Sequence, residues 1–356
     1  MSELIERLTE DAIELLQELI QTPSLSREED QTAELIFRFL TFYGAHPRRD
    51  KNNVWAMSKH VDASKPTILL NSHHDTVKAG TTWAYDPLGA IVEGDKLIGL
   101  GSNDAGASAV SLLATFLYFH ERTDLAYNLI CAITAEEEIS GVNGIRSVLP
   151  QLGHIDLGIV GEPTQMDLAV AEKGLVVLDC VAHGRTGHAA REEGENALYK
   201  AVADIRWFEE FRFPGVSPLL GPVKMTVTQI QAGSQHNVVP DRCTFVVDVR
   251  TNECYSNPEV VELVRQHITS DVTPRSTHLN SSRIDLGHPL VQRGIGLGRR
   301  TFGSVTLSDQ SMMPFTTVKI GPGDSARSHT PDEFILLSEI RAGIRGYIEL
   351  LDGLVL

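Results

Sequence analysis

The stretch TILLNSHHD at residues 67–75 decides the fold. It is an apolar run of strand type that ends in two histidines and an aspartate. Two further runs, NLICAITAEEE at 128–138 and LGIVGEP at 157–163, have the same form, because each is apolar and ends in or next to acidic residues. Short apolar runs bounded by polar turns are typical of buried strands. The three stretches therefore predict strands whose carboxyl ends carry polar side chains.

Helical patterns separate and flank these strands. Apolar residues recur with helical spacing at 11–20, 29–43 and 107–118, and Pro23 and Gly44 end the first two patterns. Alternating strands and helices predict an α/β domain with a mostly parallel central sheet. Binding sites in such sheets form at the carboxyl ends of the strands, which is where the histidines and acidic residues fall.

The pattern of the sequence changes after residue 172. Strand and helix patterns follow in βαββαβ-type order, the clearest at 174–184, 197–211, 224–233, 241–250 and 258–268. This order predicts an inserted α+β domain at 173–285. A further strand pattern at 315–323, the histidine motif SHTPDE at 328–333 and a closing helix at about 337–351 follow it. The first domain is therefore predicted to be discontinuous, comprising 1–172 and 286–356.

Composition restricts the partners and the compartment. The chain has 356 residues, which favours two domains, and it carries 31 Lys and Arg against 47 Asp and Glu, a net charge of −16. Phosphate binding needs clustered cations, so we expect neither a nucleic-acid partner nor a membrane partner. The charged N-terminal stretch has no signal-peptide pattern, and the four cysteines show no CxxC spacing. We therefore expect a cytoplasmic protein.

Five histidine and acidic residues stand in the order that a two-metal hydrolase needs. They are His73, Asp104, Glu138, Glu162 and His329. Two divalent ions about 3.5–4 Å apart need a shared carboxylate, with imidazole and carboxylate ligands on either side. Asp104 follows a glycine-bearing turn that suits a bridging carboxylate. Each motif alone is weak evidence, but together they predict a site that favours zinc.

Glu137 is adjacent to Glu138, and adjacent side chains diverge. One carboxylate can therefore bind metal while the other faces the attacking water and acts as general base. The alternative is that the acidic run 136–138 is merely a solvated face, although it directly follows the apolar run LICAIT. Asp75 lies two residues after His73, an offset that lets a carboxylate orient the imidazole.

These motifs together resemble the M20 metallopeptidase family, in particular its acetylornithine deacetylase and succinyl-diaminopimelate desuccinylase group. The resemblance covers essentially the whole chain. It rests on HHDTV (73–77), GSND (101–104), TAEEE (134–138), GEPT (161–164), EKG (172–174), GRTGHAA (184–190), NVVPD (237–241), DVR (248–250) and GPGD with SHTPDEFI (321–335).

The resemblance implies a role for each residue. His73, Asp104 and Glu162 would hold one zinc ion, and Asp104, Glu138 and His329 the other, with Co²⁺ able to substitute. Glu137 would be the general base and Asp75 the orienting residue. The insertion would be a lid and dimerisation domain, so we expect a homodimer in which His188 polarises the scissile carbonyl of the partner's site. Arg250 and Asn237 would contact the substrate carboxylate, although a plain salt bridge remains the alternative for Arg250.

The predicted reaction is removal of the Nα-acyl group from an amino acid. N-acetyl-L-ornithine is the first candidate, which would place the enzyme in arginine biosynthesis. N-succinylornithine, N-acetylcitrulline and N-acetyllysine remain alternatives, as does a dipeptidase or carboxypeptidase of the same fold. A non-catalytic binding protein would lack the base or a ligand, and none is missing. Asp324 and Asp309 are candidates to contact a cationic side chain, the alternative being that each is an exposed turn carboxylate.

Overall fold

The computed structural model describes residues 2–356. The α-helices are α1 (Ser2–Gln21), α2 (Asp30–Phe42), α3 (Ala107–Phe119), α4 (Ile145–Leu152), α5 (Ala197–Glu210), α6 (Asn257–His267), α7 (Pro289–Gly296) and α8 (Leu337–Leu351). The first strands are β1 (Arg48–Asp50), β2 (Asn53–Met57), β3 (Thr67–His73), β4 (Ile91–Glu93), β5 (Lys96–Ile98), β6 (Asn128–Thr134), β7 (Leu157–Val160), β8 (Leu168–Glu172) and β9 (Gly174–His183). The others are β10 (Gly187–His188), β11 (Lys224–Ala232), β12 (Val238–Val239), β13 (Arg242–Thr251), β14 (Asp271–Pro274), β15 (Ser282–Arg283), β16 (Thr301–Ser304), β17 (Thr317–Lys319) and β18 (Phe334–Leu336). Within residues 2–356, each helix is too short or too polar to cross a membrane.

A mixed sheet of nine strands contains the three apolar runs identified in the sequence. Its order is β1-β2-β6-β3-β7-β17-β8-β15, with β16 beside β8. Strand β3 pairs in parallel with both β6 and β7, and β17 pairs in parallel with β7. Antiparallel pairs lie toward the edges, where β2 meets β6 and β8 meets β17. The predicted α/β class with a mostly parallel centre is confirmed.

Helix α3 covers this sheet closely. All 13 of its residues are buried, as are all seven of β6, which is the pattern expected where a parallel sheet is covered on both faces. Two glycines permit the close approach of the neighbouring loops. A Cβ atom at Gly161 would lie 2.7 Å from Leu112, and one at Gly321 would lie 2.3 Å from the Ser108 hydroxyl. The loops that follow β7 and β17 therefore have no room for a side chain on the side facing α3.

The chain divides into two compact units. The first comprises Met1–Val170, Arg283–Phe302 and Ser308–Leu356, and the second comprises Ala171–Ser282 and Gly303–Leu307. The predicted boundaries after residues 172 and 285 lie within three residues of these bounds. The sequence did not predict that the short segment Gly303–Leu307 belongs to the second unit.

The second unit is built on a four-stranded antiparallel sheet. Its order is β11-β13-β9-β14. Residues of β9 and β13 alternate between buried and half-buried positions, so one face of the sheet forms a core beneath α5 and α6. A separate two-stranded sheet pairs β10 with β12. The order of the main elements is βαββαβ, as predicted.

Two elements differ from the patterns read in the sequence. Helix α1 begins at Ser2 rather than near residue 11, because Leu8 and Ala12 extend the buried face formed by Leu15 and Leu16. The strand pattern at 315–323 shortens to β17, since Gly321 and Gly323 belong to the loop that follows.

Candidate metal centre

Three parallel strands bring four of the candidate side chains to one edge of the sheet. His73 is the last residue of β3, Glu137 and Glu138 follow β6, and Glu162 follows β7. Because these strands are parallel neighbours, their carboxyl ends lie side by side. The sheet topology therefore explains why residues far apart in sequence share one site.

Two loops supply the other candidates. Asp104 lies in the short turn Ser102–Gly106 that leads into α3, just after Gly101, whose φ of 74° is readily adopted by glycine. His329 lies in the loop after the turn Ser325–Arg327, and its own φ is 58°. Such a left-handed conformation is uncommon for a non-glycine residue, although histidine adopts it more readily than most residue types.

The side chains converge around Asp104. The Nε2 atom of His73 lies 3.4 Å from one Asp104 oxygen and 3.7 Å from a Glu162 oxygen. The Nε2 atom of His329 lies 3.6 Å from the other Asp104 oxygen and 3.0 Å from a Glu138 oxygen. Asp104 thus presents one oxygen to each histidine, as a bridging ligand would.

The donor set suits divalent cations. His73 Nε2 is buried without a hydrogen-bond partner, although oxygens of Asp104, Glu162 and Glu137 lie within 3.9 Å of it. Ligand atoms of His73, Asp104 and Glu138 lie within 4.8 Å of one another, and so do those of His73, Glu137 and Glu162. Two imidazoles and four carboxylates leave an excess of buried negative charge that a bound cation would neutralise.

These two compact groups differ in membership from the predicted ligand sets. Glu137, predicted to be the base, lies as near to His73 as a ligand would, at 3.9 Å. His329 is outside both groups and contacts Glu138 and Asp104 instead. The side chain of His329 is also 54% exposed, whereas that of His73 is 1% exposed. One side of the site is therefore buried and the other is open to solvent.

Asp75 links the His73 strand to the acidic loop. One of its oxygens lies 3.3 Å from His73 Nδ1, and its two oxygens accept hydrogen bonds from the backbone N–H groups of Glu137 and Glu138 at 3.0 and 3.2 Å. Ser26 donates a further hydrogen bond at 2.7 Å. Burial alone would raise the pKa of Asp75, but hydrogen bonds from His73 and Ser26 hold it below its usual value. Asp75 can therefore orient the imidazole as an anion.

Glu137 lies in an environment that favours its protonated form. Burial raises the pKa of Glu137 well above its usual value, and the negative charges of Glu162, Asp309 and Glu138 raise it further. The charge of His73 opposes this effect. A carboxyl group with a raised pKa can both accept a proton and return it, which is what general acid–base catalysis requires.

The remaining candidates lie in the second unit. His188 and Val238 are register partners in the β10–β12 sheet, and the carbonyl of Asn237 accepts a hydrogen bond from Ala189 at 3.0 Å, so His188 and Asn237 are neighbours. Both are exposed. Arg250 lies on β13 and makes a two-point contact with Asp248, at 2.8 and 3.1 Å. Arg250 therefore has an anionic partner in its own unit.

Two further buried acids are Glu333, which was not recognised from the sequence, and Asp309, which was a candidate contact for a cationic side chain. Glu333 accepts hydrogen bonds from three backbone N–H groups of the Asp104 loop, and burial raises its pKa to about 7. Asp309 is also buried, which rules out the predicted alternative of an exposed turn carboxylate, and it accepts a hydrogen bond from the Thr134 hydroxyl at 2.9 Å. The only signal for Glu333 was its place in SHTPDE, four residues after His329.

Comparisons with known proteins point in the same direction. The profile of peptidase family M20/M25/M40 matches residues 69–353. Succinyl-diaminopimelate desuccinylase 2 of Ruegeria sp. is 26% identical over 274 residues, which cover 72% of this chain and 69% of that protein. Succinyl-diaminopimelate desuccinylase of Corynebacterium glutamicum is 27% identical over 350 residues, which cover 91% of each. The fold resembles that of the Bacillus subtilis YXEP protein, described as a dinuclear metal-binding peptidase, with a TM-score of 0.74, 18% identity and coverage of 97% and 98%.

Proposed function

Because the chain belongs to peptidase family M20/M25/M40, whose members are metal-dependent hydrolases of amide bonds, we propose that it removes the Nα-acyl group from an amino acid. The observation that carries the proposal is the position of Asp104 between His73 and His329, with one carboxylate oxygen toward each histidine. That arrangement is suited to two ions sharing one carboxylate.

The proposed ligand sets are those that the family resemblance implies. His73, Asp104 and Glu162 would hold one ion, and Asp104, Glu138 and His329 would hold the other. We propose Zn²⁺, because imidazole and carboxylate are its preferred ligands here, with Co²⁺ as a substitute. When bound, such ions make a water molecule acidic and polarise a carbonyl group.

Residues of this chain would transfer the proton of the attacking water and orient the metal ligands and the substrate. Glu137 takes a proton from the attacking water and returns it to the leaving amine, while Asp75 holds the His73 imidazole in orientation. We propose that His188 stabilises the charge that develops on the carbonyl oxygen and that Arg250 and Asn237 contact the substrate carboxylate. These three roles rest on the family resemblance.

A cavity beside Glu162 is the proposed site for the substrate side chain. It has a volume of about 360 Å³ and is lined by residues of the loop after Glu162, including Gln165, and by Asp324 and Arg300. The Gln165 amide donates to an Asp324 oxygen at 3.1 Å. Arg300 is paired with Asp167 at 2.7 Å, which leaves Asp324 as the carboxylate available to a cationic side chain such as that of ornithine. Asp309 is buried elsewhere and does not line this cavity.

The substrate is tested by steady-state turnover of the zinc-loaded protein. Nα-acetyl-L-ornithine, Nα-succinyl-L-ornithine and N-succinyl-diaminopimelate are compared at equal concentration, with the Glu137→Ala protein as blank. The third compound is included because both curated relatives are named for it. We expect acetylornithine to have the highest kcat/KM. Preference for a succinyl compound would replace the proposed substrate, and failure on all three with zinc bound would direct the search to acetylcitrulline, acetyllysine and dipeptides.

The second unit is the proposed dimerisation domain. Within residues 2–356, β11 pairs on one side only, with β13, and is therefore an edge strand. Its Ile230 side chain is 52% exposed, and Tyr199 on the adjoining helix α5 is 73% exposed. An edge strand with exposed apolar side chains is a template for pairing with a second chain. We propose that β11 pairs with a second copy of itself.

Ile230→Lys is expected to lower the solution mass from that of two chains to that of one. The added charge would lie on one face of the sheet formed by the two copies, beside side chains of the second copy, and burying an unpaired charge there is costly. Light scattering measures the mass. Val216→Lys is the control, since Val216 is 58% exposed but lies outside the sheet. A wild-type mass equal to one chain, with full activity, contradicts both the dimer and the role of His188 across subunits.

A further inference from the structure

The buried side chain of Glu333 holds the loop that carries Asp104. One carboxylate oxygen accepts hydrogen bonds from the N–H groups of Asn103 and Asp104, at 2.8 and 2.9 Å, and the other accepts one from Gly101 at 3.2 Å. Glu333 is only 2% exposed. Three backbone donors of one short loop are therefore satisfied by a single side chain from another part of the chain.

The Asp104 loop needs such a partner because its backbone is not helical. Asp104 has φ −117° and ψ 97° inside the turn Ser102–Gly106, so the turn departs from helical geometry there. An amide group at the start of a helix has no acceptor within that helix and must find one elsewhere. Glu333 supplies the acceptor and, by doing so, fixes the direction in which the Asp104 side chain leaves the loop.

Glu333 also belongs to the segment that carries His329. It lies four residues after His329, and its own carbonyl accepts a hydrogen bond from Gly99 at 2.9 Å. Asn103 makes a second link, since its side chain donates to the Ser328 hydroxyl at 3.3 Å. Hydrogen bonds to Ser328 and to Glu333 therefore join the Asp104 loop to the His329 segment both before and after His329, whose Nε2 atom lies 3.6 Å from an Asp104 oxygen.

We propose that Glu333 is a positioning residue for the metal centre, which sets Asp104 and His329 at the separation needed to bind the same ion. The inference rests on the ligand assignment made under the proposed function. It adds that the affinity of the site for metal depends on a carboxylate that does not contact the ion. Partners that orient metal ligands typically contribute about 10- to 100-fold to metal affinity or activity.

The test is the zinc affinity of the Glu333→Gln and Glu333→Ala proteins, measured on metal-free enzyme by competition with a chromophoric chelator. Glutamine keeps one oxygen to accept hydrogen bonds from Asn103 and Asp104, but it turns an N–H₂ group toward the Gly101 N–H. The hydrogen bond from Gly101 is therefore lost. We expect the Kd for zinc to rise about 10- to 100-fold in Glu333→Gln and further in Glu333→Ala. Excess zinc is expected to restore kcat in the glutamine variant.

Asp332→Asn is the matched control. Asp332 is the neighbouring acid and also accepts two backbone hydrogen bonds, from Ala84 and Tyr85 at 2.8 and 3.1 Å, but that loop carries no proposed ligand. Its zinc affinity is expected to stay within about twofold of wild type, because Asp332 ties the His329 segment to residues 84–85 and not to the Asp104 loop, so the link between Asp104 and His329 is left intact. Thermal unfolding of the metal-free proteins separates loss of fold from loss of metal.

Two results would overturn the inference. If Glu333→Gln and Glu333→Ala bind zinc as tightly as wild type while the metal-free proteins melt at lower temperature, Glu333 contributes to stability alone. If wild type itself binds no zinc, the ligand assignment fails and the inference fails with it. A wild-type protein that binds zinc but hydrolyses no acyl amino acid leaves the inference standing and refutes only the proposed substrate class.

Discussion

Replacing Glu137 with alanine is expected to lower kcat by about 100- to 10,000-fold while the bound metal is retained. Glu137 is the one carboxylate of the cluster to which no ligand role is assigned, and its side chain is only 12% exposed. Its backbone N–H is held by Asp75, which keeps it beside His73. The loss should therefore fall on proton transfer rather than on metal binding or folding.

The measurement pairs steady-state kinetics with zinc content by elemental analysis. Glu136→Gln serves as the control, because Glu136 is the adjacent buried acid but hydrogen-bonds to Asn143 rather than to the cluster. It is expected to lower thermal stability while leaving kcat per folded molecule near the wild-type value. Turnover by Glu137→Ala within about tenfold of wild type would remove Glu137 from the role of base.

Replacing Asp104 with alanine is expected to abolish both metal binding and turnover. Asp104 is the carboxylate that contacts both histidines, so its loss takes a ligand from each proposed ion at once. The backbone of the loop should persist, because Glu333 holds the Asp104 N–H and not its side chain. Glu162→Ala, which removes a ligand from one ion only, is expected to retain part of the metal.

Unfolding in the presence and absence of zinc provides the measurement. A ligand present at 100 times its Kd stabilises the folded state by about 2.7 kcal/mol. Wild type should gain stability on zinc addition and lose activity with a chelator, with activity returning when zinc is restored. Asp104→Ala should show neither response. A variant that still bound two ions per chain would exclude the bridging role.

Those side chains of the site that lie at the ends of strands could be predicted from the sequence, because the apolar runs show where the strands end. His73, Glu138 and Glu162 each come at or just after an apolar run, and parallel pairing of β3 with β6 and β7 brings those ends together. Periodicity identifies the strands without any knowledge of their neighbours. The candidate cluster therefore followed from the residue order once a parallel sheet was inferred.

The buried residues around the site, which hold its loops in place, could not be predicted in the same way. The role of Glu333 depends on three amide groups that point at it only because the Asp104 loop leaves helical geometry. Burial of Asp309 depends on the turn after Ser308, which no periodic pattern marks. Likewise, the local composition of Gly303–Leu307 does not indicate that this segment belongs to the second unit, because its membership depends on the path of the whole chain.

The two glycines that face α3 bear on how this enzyme can be engineered. A methyl group at Gly161 would collide with Leu112, and one at Gly321 would collide with the Ser108 hydroxyl. Neither loop therefore tolerates a side chain on the side that faces α3. A change of substrate preference is therefore not expected to arise from substitutions at these two glycines. If the proposed assignment of the cavity to the substrate side chain holds, variation at Gln165, Asp324 and Arg300 would change substrate preference and leave the packing against α3 intact.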